Sequence, residues 1–472
     1  MGYSYADRYF VTASWRRDLA GRLVKESNSG DFPAVTAAWK ISSEKFFNNT
    51  NNFNLLKVRA SWGKVGNLGS VPMGYKAGLM WSNFVGNETA WYGIMNNQGG
   101  NKYFWGNMTG LSTPVNPNLT WETSEQFDIG VDAEFFHNRL AVSLDYFDKK
   151  TNNLIQSQTI NWPDYIGLSP QLVNLGEISN RGFEFLGSWN DRINRDWSYS
   201  ISGNFSYLKN KITDIGVKNE DGEPGVWTGG GDFRSIPYLY QSCQGGPLNQ
   251  YYLIKTDGIF QSDEEAAAYV DKNGNRIQPA AKAGDLKFVD YNGDGTIDNL
   301  DRQYLGNATP DWTYALTLGA TWKNLSVSMM FQGVQGAQAA YVGKEAFLND
   351  ADGNFNRSTE ILNAWSPTNT GSDIPRLSRL DPNGNFSTPS DYYLEDTSYL
   401  RMKNLTINYN LTSLVQKWDY LKGRNSQLNV YFSADNLFTI TNYSGMDPEV
   451  DGYDALKYPV SRIYTFGINL TY

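Results

Sequence analysis

Thiols and imidazoles are nearly missing from this chain of 472 residues. One cysteine, Cys243, leaves no intrachain disulfide and no cysteine cluster to hold a metal. One histidine, His137, sits in Phe136-His137-Asn138-Arg139 between two apolar-alternating runs, the setting of a solvated turn; no Ser/His/Asp constellation can be drawn around it. No run of 18 apolar residues occurs, so no helix is expected to cross a bilayer. The start, Met1-Gly2-Tyr3-Ser4-Tyr5-Ala6-Asp7-Arg8, does not read as a signal peptide. Positive charge is also short. With 40 Lys+Arg against 49 Asp+Glu, a phosphate backbone would meet net repulsion, and no nucleic-acid partner is expected. No glycine-rich phosphate loop precedes a predicted helix either, no catalytic residue is assigned, and the chain is not expected to be an enzyme.

What is abundant points to strands and turns: aromatics are 15%, with 30 Tyr, and Gly numbers 45. In the closing stretch Tyr464, Phe466, Ile468, Leu470 and Tyr472 fall on one face, and Thr465, Gly467, Asn469 and Thr471 on the other. That is a period of two, at the length a strand needs to cross a bilayer. The pattern recurs. Tyr9, Val11, Ala13 and Trp15 form one row; Leu56, Val58, Ala60 and Trp62 form another, opposed by Lys57, Arg59, Ser61 and Gly63, which suit a wet lumen better than a dry core. Phe127 to Phe135 and Leu140 to Tyr146 read as a hairpin. A further strand is expected near Gly182 to Trp189. Trp197 to Tyr207 gives the cleanest alternation, and Trp312 to Trp322 turns at Lys323-Asn324 into Leu325 to Phe331. Leu405 to Leu411, Leu428 to Phe432 and the closing strand bring the expected count to roughly thirteen or fourteen. Short turns alternate with long connections near 67–118, 151–174, 215–309 and 336–397. An antiparallel transmembrane β-barrel has that asymmetry, with short periplasmic turns and long extracellular loops.

Several stretches resemble the C-terminal half of the SusC/RagA-type TonB-dependent transporters of Bacteroidetes outer membranes. They are Leu56 to Asn67, Asn116-Pro117-Asn118-Leu119-Thr120-Trp121-Glu122, Asn180-Arg181-Gly182-Phe183-Glu184 and Thr256-Asp257-Gly258-Ile259-Phe260. Tyr399-Leu400-Arg401-Met402-Lys403-Asn404-Leu405, Asp435-Asn436-Leu437-Phe438-Thr439 and Tyr443-Ser444-Gly445-Met446-Asp447-Pro448-Glu449 continue the likeness in the same order. The resemblance implies an all-β fold: the C-terminal part of a 22-stranded barrel in the cell outer membrane, without its N-terminal plug domain. It also implies import of oligosaccharides or peptides driven by TonB, which would act through a missing N-terminal part, beneath a SusD-like surface lipoprotein. A soluble secreted all-β glycan-binding or glycan-cleaving protein is the alternative from another class, and a passive porin a third.

The sharpest chemical motif is Asp290-Tyr291-Asn292-Gly293-Asp294-Gly295-Thr296-Ile297-Asp298-Asn299-Leu300-Asp301. Asp290, Asn292, Asp294, Thr296, Asp298 and Asp301 stand where a calcium loop places its oxygens, with Gly295 at the sharp turn. A structural Ca²⁺ is the expectation, and a metal-free loop of Asx turns the alternative. Asp285 to Val289, just before it, reads as strand where an EF-hand would have a helix. Upstream, Ser262 and Glu265 have capping-box spacing ahead of a short helix. Trp91, Tyr92, Tyr103, Phe104 and Trp105, in the first long loop, are candidates to stack on substrate or to contact a lid protein.

Overall fold

The computed structural model describes residues 1–47, 53–73, 75, 115–158, 171–218, 222–229, 239–351, 356–417 and 426–471. They are dominated by one sheet of 13 strands in which each strand pairs antiparallel with the next along the chain. The strands are β1 (Gly2–Tyr5), β2 (Tyr9–Leu19), β3 (Ser29–Lys40), β4 (Phe53–Asn67), β5 (Glu122–Phe135), β6 (Leu140–Asn152) and β7 (Glu177–Arg192). They continue as β8 (Trp197–Asp214), β9 (Trp312–Trp322), β10 (Leu325–Gln335), β11 (Tyr399–Asn410), β12 (Gln427–Thr441) and β13 (Ile463–Thr471).

Register turns the alternation of each strand into two continuous surfaces. Ile201, Leu318, Met329, Leu405, Ala434 and Tyr464 lie side by side from β8 to β13. One residue along, on the opposite face, Ser200, Gly319, Ser328, Thr406, Ser433 and Thr465 form the matching polar rung. The apolar rows point outward and stay open: Trp15, Trp62, Ile129, Leu144, Ile201, Ile407 and Phe466 are all exposed. They do not pack across a dry interior, as a soluble sandwich would require. In hydrocarbon each such large side chain gains about 1.5–3 kcal/mol by leaving water, which is the driving force for this wall.

Most strands run past the 9–11 residues that a crossing requires. β8 is 18 residues long, and its apolar alternation stops at Tyr207, after which Lys209 and Lys211 occupy the outward positions while pairing continues. One end of the wall carries the tight connections. Phe136, His137 and Asn138 all take positive φ between β5 and β6, and Lys323 does so between β9 and β10. The sole histidine is thus an exposed turn residue, as expected.

The long connections at the other end have structure of their own. That between β8 and β9 holds a four-stranded sheet of Val226–Gly229, Tyr240–Cys243, Gln250–Ile254 and Arg302–Asn307. In the connection between β10 and β11, Gln338–Tyr341 pairs with Leu394–Asp396 and, in parallel, with Tyr453–Asp454 of the β12–β13 connection. The buried apolar clusters lie in these connections, for example Leu239, Tyr251, Leu253, Val342 and Tyr393, and not inside the wall. Among the described residues no helix is long and apolar enough to cross a membrane.

The two faces should respond oppositely to charge. Leu318→Arg, at mid-height on the lipid side, is expected to cost about 2–4 kcal/mol, whereas Thr317→Arg on the lumen side should be tolerated within about 1 kcal/mol. Urea titration of the protein folded into lipid bilayers, read by heat-modifiable gel mobility, checks both.

Candidate functional site

The lumen face carries the charge that the outer face excludes. On β4, Arg59 donates through Nη2 to Asp145 Oδ2 at 2.6 Å and through Nε to Asp132 Oδ2 at 3.2 Å. Ser143 Oγ donates to Asp132 Oδ1 at 2.8 Å, and Ser61 Oγ to Asp128 Oδ2 at 3.1 Å. The cluster fits because position 130 has no side chain: a Cβ there would run into Asp145 Oδ1 and the Arg59 guanidinium. Nearer the tight turns, Ser198, Ser200, Thr321, Ser326, Ser328 and Thr406 line a concave stretch of the same wall. Small hydroxyls leave that surface wide and wettable.

A second, denser node joins the wall to its long connections. Arg401 points to the lumen side of β11 yet is only 2% exposed, because the β12–β13 connection folds over it. Its Nη2 donates to Asp447 Oδ1 at 2.7 Å, its Nε donates to Thr439 Oγ1 at 2.7 Å, and its Nη1 lies 2.9 Å from Glu449 Oε2. Lys403 Nζ, at the bulge in β11, and the Tyr399 hydroxyl both reach Glu449 at 2.7 Å. Burial pushes the Asp447 carboxyl up, but the Glu449 and Val460 amides and Arg401 outweigh it and hold it below the usual carboxylate range. Burial likewise pushes Glu449 up, and Lys403, Tyr399 and Arg401 outweigh it.

The same connection is tied to those between β8 and β9 and between β10 and β11. Tyr240 and Tyr251 both donate to the Gly452 carbonyl, at 2.8 and 2.6 Å. Gly452 has φ +78°, and a Cβ there would meet Ala308, so only glycine fits. Burial raises the Tyr240 hydroxyl to about 12, so it remains a donor at any physiological pH. Tyr443 Oη donates to Asp454 Oδ2 at 2.6 Å, and Lys344 Nζ meets Glu395 Oε1 at 2.7 Å.

Alternation on β11 gives Arg401 its lumen-side place, but nothing local says that Asp447 and Glu449 arrive to bury it. The signal was the pair of stretches 399–405 and 443–449, which the fold brings into contact.

The Asp-rich loop is described in full. Asp301, completely buried, accepts the Tyr291 amide at 2.8 Å and the Asn292 amide at 3.3 Å on Oδ1, and the Asp298 amide at 2.9 Å on Oδ2. Asp290 accepts the Gly293 and Gly295 amides, Asn292 that of Asp294, Asp294 that of Thr296, and Asp298 that of Leu300. The donor set is all oxygen, which is chemistry fit for a hard cation. Here those oxygens serve the loop's own amides, and among the described residues no three His, Cys, Asp or Glu side chains gather at metal-ligand spacing. The short strand before the loop is Leu286–Phe288. At the helix Asp263–Ala268, Ser262 Oγ accepts the Glu265 amide at 3.1 Å, while Glu265 accepts from Gln261, one residue before the position a capping box uses. Trp91, Tyr92, Tyr103, Phe104 and Trp105 lie outside the described residues.

Removing one partner from the Arg401 node leaves buried charge unpaired, so Arg401→Leu should cost about 3–5 kcal/mol. Because the native Asp447 and Glu449 carboxyls sit below their unfolded values, their stabilisation is complete above the ordinary carboxylate range and is lost as pH falls through their lowered values. Limited proteolysis of the 442–462 connection at falling pH checks this. Asp447→Asn should already be cleaved at neutral pH.

Residues 2–437 match the family described as TonB dependent receptor-like, beta-barrel. The chain is 31% identical over 489 aligned residues to TonB-dependent receptor P3 of Formosa agariphila, covering 100% of this chain and 45% of that protein. It is 29% identical to TonB-dependent receptor SusC of Bacteroides thetaiotaomicron, covering 100% of this chain and 43% of the relative. Among solved structures it is similar to the RagAB peptide importer in its closed-closed state, with a TM-score of 0.76 at 25% identity over 99% of this chain and 46% of that one. The chain thus spans a little under half the length of the curated relatives it matches.

Proposed function

The chain belongs to the TonB-dependent receptor-like β-barrel family, a family of the outer membrane, and from that premise we propose that it is the C-terminal wall of an active importer of oligosaccharides or peptides. The observation that carries the reading is the unbroken polar rung from Ser200 to Thr465, directly behind an unbroken apolar one. Such a wall encloses water and faces lipid. A SusD-like surface lipoprotein as lid and TonB as energy source belong to the same proposal, with TonB acting through a part of the protein outside this chain. SusC and RagAB, to which the chain is similar, support it. Trp91, Tyr92, Tyr103, Phe104 and Trp105 are the proposed stacking residues for substrate or lid, since flat sugar and side-chain faces pair well with aromatic rings. No catalysis is proposed. His137, the one imidazole, is an exposed turn residue.

Uptake of labelled oligosaccharide and peptide mixtures should be tested in cells carrying or lacking the full-length gene, with and without TonB. Accumulation that needs both supports active import. Uptake that persists without TonB would instead mark a passive pore.

For the Asp290–Asp301 loop we propose calcium as ligand, held by oxygens of Asp290, Asn292, Asp294, Thr296, Asp298 and Asp301 once the hydrogen bonds that hold the loop's own amides yield. Titration of the full-length protein with Ca²⁺ after chelation should raise its melting temperature by several degrees, and Asp294→Asn with Asp298→Asn should abolish that rise. An unchanged melting curve would leave the loop as a set of Asx turns.

A further inference from the structure

Just beyond the aromatic boundary of the wall, on its lipid side, four of five neighbouring strands, β4, β6, β7 and β8, place cations at outward positions. The boundary itself is marked by Phe183, Phe205, Tyr207 and Trp312, whose rings cluster at centroid distances of 4.4–6.0 Å. At the other end, Trp197 stacks on Trp322. Trp312 and Trp322 are ten residues apart on β9, so about 34 Å of strand separates the belts. At a tilt of about 45° that is about 24 Å of membrane, the height expected of the apolar band.

Two rungs beyond Phe183 and Tyr207, toward the long connections, the outward positions change character. One rung runs Trp62, Phe127, Asp148, Arg181, Lys209, so that on β4 and β5 the aromatic boundary lies one outward rung further along, and the next runs Lys64, Glu125, Lys150, Ser179, Lys211. Arg181 is paired to Asp148 at 2.9 Å, and Lys64 to Glu125 at 3.4 Å. Lys150, Lys209 and Lys211 are exposed and make no ion pair among the described residues. The two rungs hold five cations and two carboxylates. Their positions, two and four residues past the aromatics, put them about 5–10 Å above the hydrocarbon edge, which is headgroup depth. The opposite face of β6 at this height also carries a lysine, Lys149, which points into the lumen.

We propose that the outward faces of β4–β8 above the aromatic belt bind the phosphate-bearing headgroups of the surrounding outer-leaflet lipid. A lysine or arginine snorkelling at this depth has its aliphatic stem on the apolar band and its charge among phosphates. The three unpaired lysines give the patch a positive excess in a chain whose net charge is −9, so this strip is set against the molecule's overall field. The inference needs only the membrane placement of the wall, and stands whether or not the protein imports glycans or peptides.

The test uses the full-length protein in detergent, titrated with phosphatidylglycerol or phosphatidylcholine and read by native mass spectrometry. Phosphatidylglycerol should be retained preferentially, and each of Lys150→Gln, Lys209→Gln and Lys211→Gln should weaken retention about fivefold. The triple lysine-to-arginine variant should keep it, while Lys149→Gln on the lumen face should change nothing. Inorganic phosphate at millimolar concentration should not displace the lipid. The proposal is overturned if the triple glutamine variant, with unaltered heat-modifiable mobility, retains phosphatidylglycerol like the parent, or if Lys149→Gln loses as much. It also fails if free phosphate displaces the lipid, or if the triple variant keeps its lipid but loses an acidic protein partner.

Discussion

A peptide group that faces hydrocarbon finds no water, so its hydrogen bonds must be made within the protein, and that requirement shapes everything in this wall. It forces each crossing segment into a strand with paired neighbours on both sides. Pairing fixes the pleat, the pleat gives the period of two, and the period lets one backbone present hydrocarbon-facing and water-facing side chains at once. The strands from β2 to β13 meet the requirement along the seams they share. Among the described residues no further strand pairs with the outer sides of β1, of β2 beyond Thr12 or of β13, and Phe466 and Ile468 on β13 are 80% and 75% exposed. Such edges are stable in a bilayer only when paired with further strands. That agrees with a C-terminal barrel part that spans under half of its relatives.

Once the outer face is committed to lipid, every polar demand moves inward. The lumen accommodates charge by pairing it, as around Arg59, or by keeping side chains small, as along the hydroxyl-lined stretch from Ser198 to Thr406. Glycine serves this directly where an inward side chain needs a flat floor. At Gly467 the ring of Tyr431 on the neighbouring strand lies across the space a Cβ would fill. At Gly130 the same vacancy admits an ion pair. In both cases the missing side chain on one strand is replaced by a larger one from the next, which keeps the sheet packed without a void.

The membrane part was legible because hydrocarbon imposes a rule that each residue obeys locally. The rows at Tyr9–Trp15, Leu56–Trp62, Trp197–Tyr207 and Trp312–Trp322 lie inside strands of the wall, and the turn at Lys323-Asn324 joins β9 to β10. The same rule explains why the apolar alternation is shorter than the strands that carry it. Beyond Tyr207, β8 leaves the apolar layer, Lys209 and Lys211 are free to be polar, and the apolar period vanishes while the pairing with β7 goes on to Asp214. The four-stranded sheet between β8 and β9 has no such signature, for a related reason. Its strands are four to six residues long and face protein, so neither length nor alternation separates them from loop. The Asp-rich loop was legible as a turn with a shared oxygen set. Its amides are also donors, and spacing alone does not decide between them and a cation.

Burial of Arg401 is the least local feature of all, and its energetics say what kind of joint it is. Arg401 and Lys403 face Asp447 and Glu449, two positive charges against two negative, so the node is neutral as a whole. A neutral, well-paired cluster can lie in a low-dielectric setting, whereas any one of its members alone cannot. Yet Arg401 lies on the lumen side of the wall and not within a protein core. Were the 442–462 connection to lift, its guanidinium would meet lumen water and recover much of its solvation. The joint therefore rests on the ion pairs staying made while the connection covers them, and its opening exchanges them for hydration at a lower cost than the same cluster would meet in a closed core.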